Sequence, residues 1–194
     1  MNTQLLAAAL DAFDNANSAD PNQEFLTDVP LPKELLYGQR MSEVLSKFAP
    51  EASEHLQLSA RAQHIERWKS PRSDFPEGRA GYKKWRSQLS LFHAQRAGEL
   101  MTDVGYSEED VDRVKFLIQK RHLKRDPETQ CLEDVACLVF LEYYFEEFTA
   151  KHSEEKIIDI VQKTWGKMSD KGQKAALKIH FPEKISNILQ KSLA

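Results

Sequence analysis

Three histidines and one aspartate form the group of side chains that is best suited to chemistry in this sequence. His64, His93 and His122 each extend a line of apolar residues spaced three or four positions apart, and Asp134 lies within an apolar run. Side chains at that spacing share one face of a helix, so we expect all four to point inward. Because burying an unpaired charge costs on the order of several kcal/mol, Asp134 needs an arginine, a histidine or a metal as its partner.

Neutral imidazoles and a carboxylate are ligands that a divalent metal takes when it assists hydrolysis. We therefore predict catalytic roles for His64, His93, His122 and Asp134. His64, His93 and Asp134 are the predicted ligands of a divalent metal, whose identity the sequence leaves open. Taken one at a time, each histidine is better explained as an ordinary core residue, and only the set of four side chains favours a metal site.

The segment between the first two histidines is strongly basic in a protein whose net charge is −3. Residues 61–86 contain eight Lys or Arg against three Asp or Glu, with aromatic side chains interspersed. Guanidinium groups beside aromatic rings are typical of sites that hold phosphates or stacked bases. Seven residues of this segment are predicted to bind a substrate: Arg61, Arg67, Trp68, Arg72, Arg79, Tyr82 and Arg86.

Two prolines and two glycines shape the loop within this basic segment. Pro71 and Pro76 restrict its backbone, while Gly78 and Gly81 allow close approach of a ligand. We predict a phosphate-bearing small molecule, above all a nucleotide, as the partner, with Arg40 as a further contact. A non-catalytic module that binds RNA or a protein is the alternative, as is a purely structural pairing of these arginines with acids of other helices.

The elements that must position these residues are helices, because apolar residues recur with a period near 3.6 and no sustained period of 2 is found. We predict an all-α fold: a single domain over 1–194 with about seven to nine helices. Residues 1–50 supply a first helix and an irregular arm that packs on the core. The predicted helices cover residues 3–15, 35–48, 50–69, 82–104, 107–122, a core helix from 127, then 151–167, 171–179 and a last helix after 182.

Prolines and caps set several of these boundaries. Three prolines in the arm exclude regular structure there, and its apolar residues Phe25, Leu26, Val29 and Leu31 are expected to be buried. Gly105 suits the end of a helix, whereas the sequence Asp126-Pro127-Glu128 suits a start.

The sequence also indicates where the protein resides. Cys131 and Cys137 lie in an apolar run, which favours reduced core thiols over a disulfide framework. No apolar stretch approaches the roughly 18 to 20 residues that cross a bilayer, and the first residues lack the basic end of a signal peptide. We therefore expect a cytoplasmic protein with no membrane partner.

Five strings along the chain resemble an uncharacterised family, domain of unknown function 4202. They are LLYGQRM, AQHIERWKSPR, GRAGYKKWRSQL, FHAQRAGELM and LEDVACLVFLEYYF, and the likeness covers nearly the whole chain. The resemblance implies a helical domain that is complete in itself and implies no activity.

The order of His64, His93 and Asp134, each on its own helix, resembles in arrangement the histidine-aspartate (HD) superfamily of metal-dependent phosphohydrolases. That resemblance implies an HD-like helical core and phosphoester hydrolysis with a metal. One position departs from the superfamily pattern: Ala94 follows His93 where the superfamily has an aspartate, and alanine offers no ligand atom. A degenerate, non-catalytic relative of that superfamily is therefore the competing interpretation.

Overall fold

The structure, a computed structural model, describes residues 3–193. The chain is 73% helical, and its described residues form ten α-helices and one two-stranded sheet. The predicted all-α class is confirmed. The number of helices in this part of the chain exceeds the predicted seven to nine.

The chain divides into two compact units. The first unit extends to Arg121, and the second begins at His122. The single domain over 1–194 therefore stays a prediction.

The first unit holds five α-helices, a β-hairpin and two short 3₁₀ turns among its described residues. Their bounds are α1 Thr3–Asn17, β1 Gln23–Leu26, β2 Val29–Pro32, α2 Lys33–Phe48, α3 Glu54–Arg61, 3₁₀ turns Arg67–Lys69 and Arg72–Asp74, α4 Gly78–Val104 and α5 Glu108–Ile118.

Serine and glycine set the ends of these helices. Ser53 and Ser107 accept hydrogen bonds through their side chains from backbone N–H groups three residues on, which caps α3 and α5. Gly105 ends α4 with a φ of 102°, a left-handed conformation that glycine adopts without strain. The predicted helix start at Pro50 is wrong, because the cap lies at Ser53.

The core of the first unit is formed by α1, α3, α4 and α5. These helices contribute apolar side chains that are almost completely buried, and close packing among them fixes where the following turns lie. Prominent residues of this core are Phe13, Leu58, Ala97, Met101 and Val114. Ile65, which follows α3, packs with them.

The arm contains regular structure, which corrects the prediction that its prolines exclude it. Strands β1 and β2 pair antiparallel, with Leu26 opposite Val29, and the residues that join them, Thr27 and Asp28, have φ values of 47° and 69°. Two positive φ values in a two-residue loop are the geometry of a type I′ hairpin turn. A two-stranded hairpin has only edge strands, and edge strands tolerate proline.

The apolar residues of this hairpin are not buried as expected. Phe25 is 68% exposed, Leu26 47% and Val29 56%. In so small a sheet both faces are open unless a further element covers them, so the sequence's apolar character misled the prediction.

The second unit is helical over its described residues. Its elements are α6 Pro127–Val139, a π-helical turn Phe140–Tyr144, α7 Phe145–Lys151, α8 Glu154–Lys167, α9 Asp170–Ala176 and α10 Glu183–Leu193.

The predicted core helix of this unit is present but distorted. Asp126 accepts a hydrogen bond from the Thr129 N–H, which caps α6 with Pro127 at its first turn, as the sequence predicts. The π-helical turn interrupts it after Val139, and the run resumes as α7. Cys137 is buried in α6 and both cysteines are free thiols, which agrees with the predicted core role.

Within residues 3–193, no helix combines the length and the apolar character that crossing a membrane requires.

Candidate functional site

The site forms around a tight turn that follows α3. The helix ends at Arg61, so His64 lies in the turn and not on the predicted helix over 50–69. Glu66 closes the turn with a φ of 49°, and its backbone N–H donates to Asn17 Oδ1 over 2.9 Å. A non-glycine residue in this conformation costs about 1–3 kcal/mol and persists only where its surroundings fix it.

The buried carboxylate of Glu66 supplies that fixation. Its two oxygens lie 2.8 Å from Lys69 Nζ and 3.0 Å from Arg96 Nε. The turn is therefore held from α1 through Asn17 and from α4 through Arg96.

His64 is held on one ring face by a stacked tyrosine and at both ring nitrogens. Its ring stacks on Tyr37 of α2 at 3.9 Å between centroids and 10° between planes. Nδ1 lies 3.4 Å from Glu34 Oε2, and Nε2 lies 3.2 Å from Arg67 Nη1. Because arginine only donates, Nε2 is the acceptor and the proton belongs on Nδ1, facing Glu34. Burial and the charge of Arg67 lower the pKa of His64 well below its usual value.

His93 lies next to His64, as the sequence predicts for an inward residue of α4. Their ring centroids are 5.9 Å apart, and His93 is 2% exposed. His93 Nδ1 lies 2.7 Å from the carbonyl oxygen of Ile65, which can only accept, so Nδ1 carries the proton. Nε2 has no hydrogen-bond partner among the described residues. Burial, the dominant cause, and the charges of Arg67 and Arg86 lower the pKa of His93 to about 3.

Arg67 connects the two histidines to the aromatic residues of α4. Its Cζ lies 5.0 Å from the ring centroid of Trp85, and Trp85 Nε1 donates to the Ser70 carbonyl over 2.9 Å. Arg67 Nε is 4.0 Å from Glu34 Oε1, the limit for an ion pair. Burial lowers the pKa of Arg67.

Glu34, on the first turn of α2, is the acid of this group. Burial raises the pKa of its carboxyl group to about 7, against the opposing effect of Arg67. Near neutral pH a large share of the Glu34 side chains is thus protonated. The carboxyl group is poised to exchange a proton with its surroundings.

The positive charges around the histidines exceed the negative ones. Arg67 and Arg86 both lower the histidine pKa values, and Lys120 contributes at His64. Glu34 neutralises little of this charge while its pKa is near 7. Such a group favours an anion. We call Glu34, Tyr37, His64, Arg67, Trp85, Arg86 and His93 the histidine–arginine site.

Two of the predicted phosphate ligands have structural partners. Arg61 donates from Nε and Nη2 to the two oxygens of Asp14, at 2.8 and 3.0 Å. Arg72 donates to the carbonyl oxygens of Phe75 and Pro76, at 2.8 and 2.9 Å. Arg61 thus ties α3 to α1, and Arg72 braces the proline loop.

The remaining predicted ligands of the basic segment lie on or near the start of α4. Arg79, Tyr82 and Arg86 are exposed on that helix, and the Tyr82 ring lies 5.8 Å from that of Trp85. Trp68 is half-buried in a 3₁₀ turn. Arg40 is buried and forms an ion pair with Glu24.

His122 and Asp134 belong to the second unit. Helix α5 ends at Ile118, so the prediction that His122 continues its inner face is wrong: the residue is exposed in a turn, with a φ of 54°. Asp134 is buried, as predicted, but its partners differ from those expected. Its carboxylate accepts from the Ser169 N–H and hydroxyl and from Gln130 Nε2, at the N-terminus of α9.

The described residues do not gather the donors of a metal site. No group of three or more His, Cys, Asp or Glu side chains in residues 3–193 is arranged to hold a metal ion. The described residues therefore do not fit the predicted divalent metal.

Sequence reasoning missed Glu34 and Tyr37 as site residues. Tyr37 lies within the string LLYGQRM, and Glu34 precedes it by three positions, so both face the same side of α2. Neither has a spacing that points to His64. Only the packing of α2 on the turn after α3 brings them together.

Comparison with known proteins gives one match. The family described as domain of unknown function (DUF4202) matches residues 7–189. Neither the curated proteins nor the solved structures include a match.

Proposed function

The chain belongs to the family described as domain of unknown function (DUF4202), and because that description assigns no activity, we propose a function from the histidine–arginine site. The site binds a phosphate-bearing small molecule, with a nucleotide as the best-fitting class. The observation that carries this proposal is the weak counter-charge of Arg67.

Arg67 is three-quarters buried without a firm ion pair. Its Nε lies 4.0 Å from Glu34 Oε1, and the pKa of about 7 leaves Glu34 partly protonated near neutral pH. Its Nη1 instead donates to a neutral imidazole, His64. A phosphate would supply the missing negative charge, and a charge-assisted hydrogen bond is roughly twice as strong as a neutral one.

The aromatic residues beside the cations favour a nucleotide over inorganic phosphate alone. Tyr82 is 50% exposed, and its ring stands 5.8 Å from Trp85, one helical turn before Arg86. A base can stack on such a ring while its phosphate lies on the guanidinium groups.

Hydrolysis of a phosphoester in this ligand is part of the same proposal. Glu34 faces the Nδ1 proton of His64, so Nε2 can accept a proton from water once Arg67 turns to the phosphate. The water oxygen forms the new P–O bond, the P–O bond to the alcohol breaks, and His64 returns the proton to the alcohol oxygen as it leaves. Arg67 would then stabilise the charge that develops on the phosphoryl oxygens. In this scheme His64 is the base, and Glu34 orients it.

The variant His64→Asn tests this role. It should abolish turnover while preserving nucleotide binding.

Charge reversal at Arg86 tests the binding. We expect Arg86→Glu to weaken nucleotide binding by at least about tenfold, because it replaces an attraction by a repulsion next to Arg67 and both histidines. Isothermal titration against adenosine and guanosine mono-, di- and triphosphates measures the effect.

Lys84→Glu is the matched control for this charge reversal. Lys84 is exposed two residues away on the same helix, so its side chain points to a different side. Equal weakening by both variants would point to general electrostatics. Failure of the wild-type protein to bind any nucleotide would remove the proposal.

A second candidate function, RNA binding, is favoured by an exposed stripe on α4. Arg79, Tyr82, Lys83 and Arg86 are exposed and share one side of the helix. Basic residues interleaved with an aromatic ring are typical of single-strand binding surfaces. RNA binding predicts a steep loss of affinity with salt and a large effect of Arg79→Glu, which a mononucleotide site would not show.

A further inference from the structure

We propose that the histidine–arginine site selects oxyanions that carry an O–H group, which donates a hydrogen bond to Nε2 of His93. The inference rests on the proposed function and specifies the ligand chemically: hydrogen phosphate, or a phosphoester in its protonated monoanionic form, is accepted, and sulfate is rejected. Because the second pKa of a phosphate monoester is about 6, a nucleoside monophosphate should bind more weakly as the pH rises above that value. Nothing in the family description assigns such selectivity.

The hydrogen bond at Nδ1 fixes which atom of His93 accepts. Nδ1 lies 2.7 Å from the Ile65 carbonyl oxygen, and a carbonyl oxygen cannot donate. The ring is neutral with its proton on Nδ1, so Nε2 holds a lone pair. That atom is buried and has no partner among the described residues.

The surroundings of His93 keep Nε2 from becoming a donor. The ring is 2% exposed, and the two charged groups that lower its pKa, Arg67 and Arg86, are both cations. Protonation would place a third positive charge in the same small space. Nε2 therefore remains an acceptor across the neutral pH range.

Two side chains close to His93 are partly exposed. The side chain of His64, 5.9 Å away between ring centroids, is 21% exposed, and that of Arg67 is 24% exposed. When Arg67 turns to an anion, it releases the Nε2 of His64, at present 3.2 Å from Arg67 Nη1. The anion then faces guanidinium donors on one side and the Nε2 lone pair of His93 on the other.

Such a site discriminates by hydrogen-bond complementarity. Hydrogen phosphate carries an O–H that can donate to a lone pair, whereas sulfate carries none at neutral pH. An unprotonated oxygen placed against Nε2 would leave that acceptor unsatisfied. The hydrogen bond that hydrogen phosphate gains at Nε2 and sulfate lacks corresponds to a difference of about 10- to 100-fold in affinity between the two anions.

Four anions test this selectivity at equal charge. At pH 8, hydrogen phosphate and hydrogen arsenate are dianions with one proton, and sulfate and selenate are dianions without one. We expect phosphate and arsenate to bind about 10- to 100-fold more tightly than sulfate and selenate in isothermal titrations of the full chain at constant ionic strength. In protein with ¹⁵N-labelled histidine, phosphate should shift the Nε2 resonance of His93 and sulfate should not.

The variant His93→Phe removes the acceptor and should bring the four affinities together. Equal affinities in the wild-type protein, or an Nε2 resonance that ignores phosphate, would overturn the selectivity while leaving nucleotide binding in place. If neither nucleotides nor any of the four anions bind, the proposed function itself fails. The wild-type comparison decides the matter even if the variant does not fold.

Discussion

Replacing Glu34 by glutamine should remove a pH-dependent loss of stability that is built into the site. The quantity compared is the free energy of unfolding of Glu34→Gln minus that of the wild-type protein. We expect this difference to increase by about 3 kcal/mol between pH 4.5 and pH 8. The rise should be complete just above pH 7.

The sign follows from where the proton is bound. The pKa of Glu34 is about 7 in the folded protein and 4.5 as its usual value, so between these limits the folded state binds a proton that the unfolded state has lost. The contribution of Glu34 to stability is therefore fully present below pH 4.5 and is lost as the pH rises through 7. Glutamine mimics the neutral acid and has no such dependence.

The charged neighbours of Glu34 modify the size of this effect and not its direction. Burial is the largest cause of the raised pKa, and it outweighs the attraction of Arg67. The other groups that face Glu34 are Asp20, Glu24, Lys33 and His64.

Urea unfolding at half-unit steps from pH 4.5 to pH 8.5 measures the difference. Glu43→Gln is the matched control, because Glu43 is exposed on the same helix and forms an i,i+4 ion pair with Lys47. A surface pair of this type contributes about 0.3–0.5 kcal/mol. If the difference in free energy of unfolding between Glu34→Gln and the wild-type protein does not change with pH, the raised pKa of Glu34 is contradicted.

Gly81→Ala should destabilise the first unit by about 3 kcal/mol. A Cβ at this position would stand 1.8 Å from the carbonyl oxygen of Pro76, and neither atom belongs to a flexible side chain. The proline loop would have to move away from α4. That movement would disturb the two hydrogen bonds that Arg72 donates to the carbonyl oxygens of Phe75 and Pro76.

Chemical unfolding followed by tryptophan fluorescence and circular dichroism tests this prediction, since Trp85 lies one turn beyond Gly81. Gly166→Ala is the control: an added Cβ there meets nothing within 4 Å. In a helix the same change should stabilise by up to about 1 kcal/mol. Similar unfolding midpoints for the two variants would contradict the prediction, because the proline loop would then move away from the added Cβ at little cost in stability.

Three unfavourable features lie together at or next to the histidine–arginine site. Glu34 is buried with a raised pKa, Glu66 holds a left-handed conformation, and His93 Nε2 is an unsatisfied acceptor. Proteins tend to retain such costs where a ligand or a reaction requires them. This concentration supports the proposed function independently of the charge argument.

Much of the fold followed from local chemistry. The caps at Ser107 and Asp126 and the left-handed Gly105 lie where the sequence predicts, because each is satisfied by atoms three to five residues away. The hairpin was missed because Thr27-Asp28 lacks the glycine that usually marks a type I′ turn.

The site was predictable only in part. His64 and His93 do come together, since each lies on or next to the packing side of its own helix. The roles of Arg61 and Arg72 could not be read from composition, because an arginine's partner depends on which acid or carbonyl packing brings near. The same holds for Asp134, whose partners Ser169 and Gln130 satisfy it without an arginine, a histidine or a metal.

The sequence alone determined the helical class, most helix boundaries and the presence of a basic segment between two inward histidines. These depend on periodicity, capping and composition, which act over a few residues. Tertiary packing decided which charges meet: it set Glu34 and Tyr37 against His64, engaged Arg61 and Arg72 in structural pairs, and left Arg67 with a weak counter-ion. The chemistry around His64 and His93 depends on those contacts between distant segments, whose free energies no local pattern encodes.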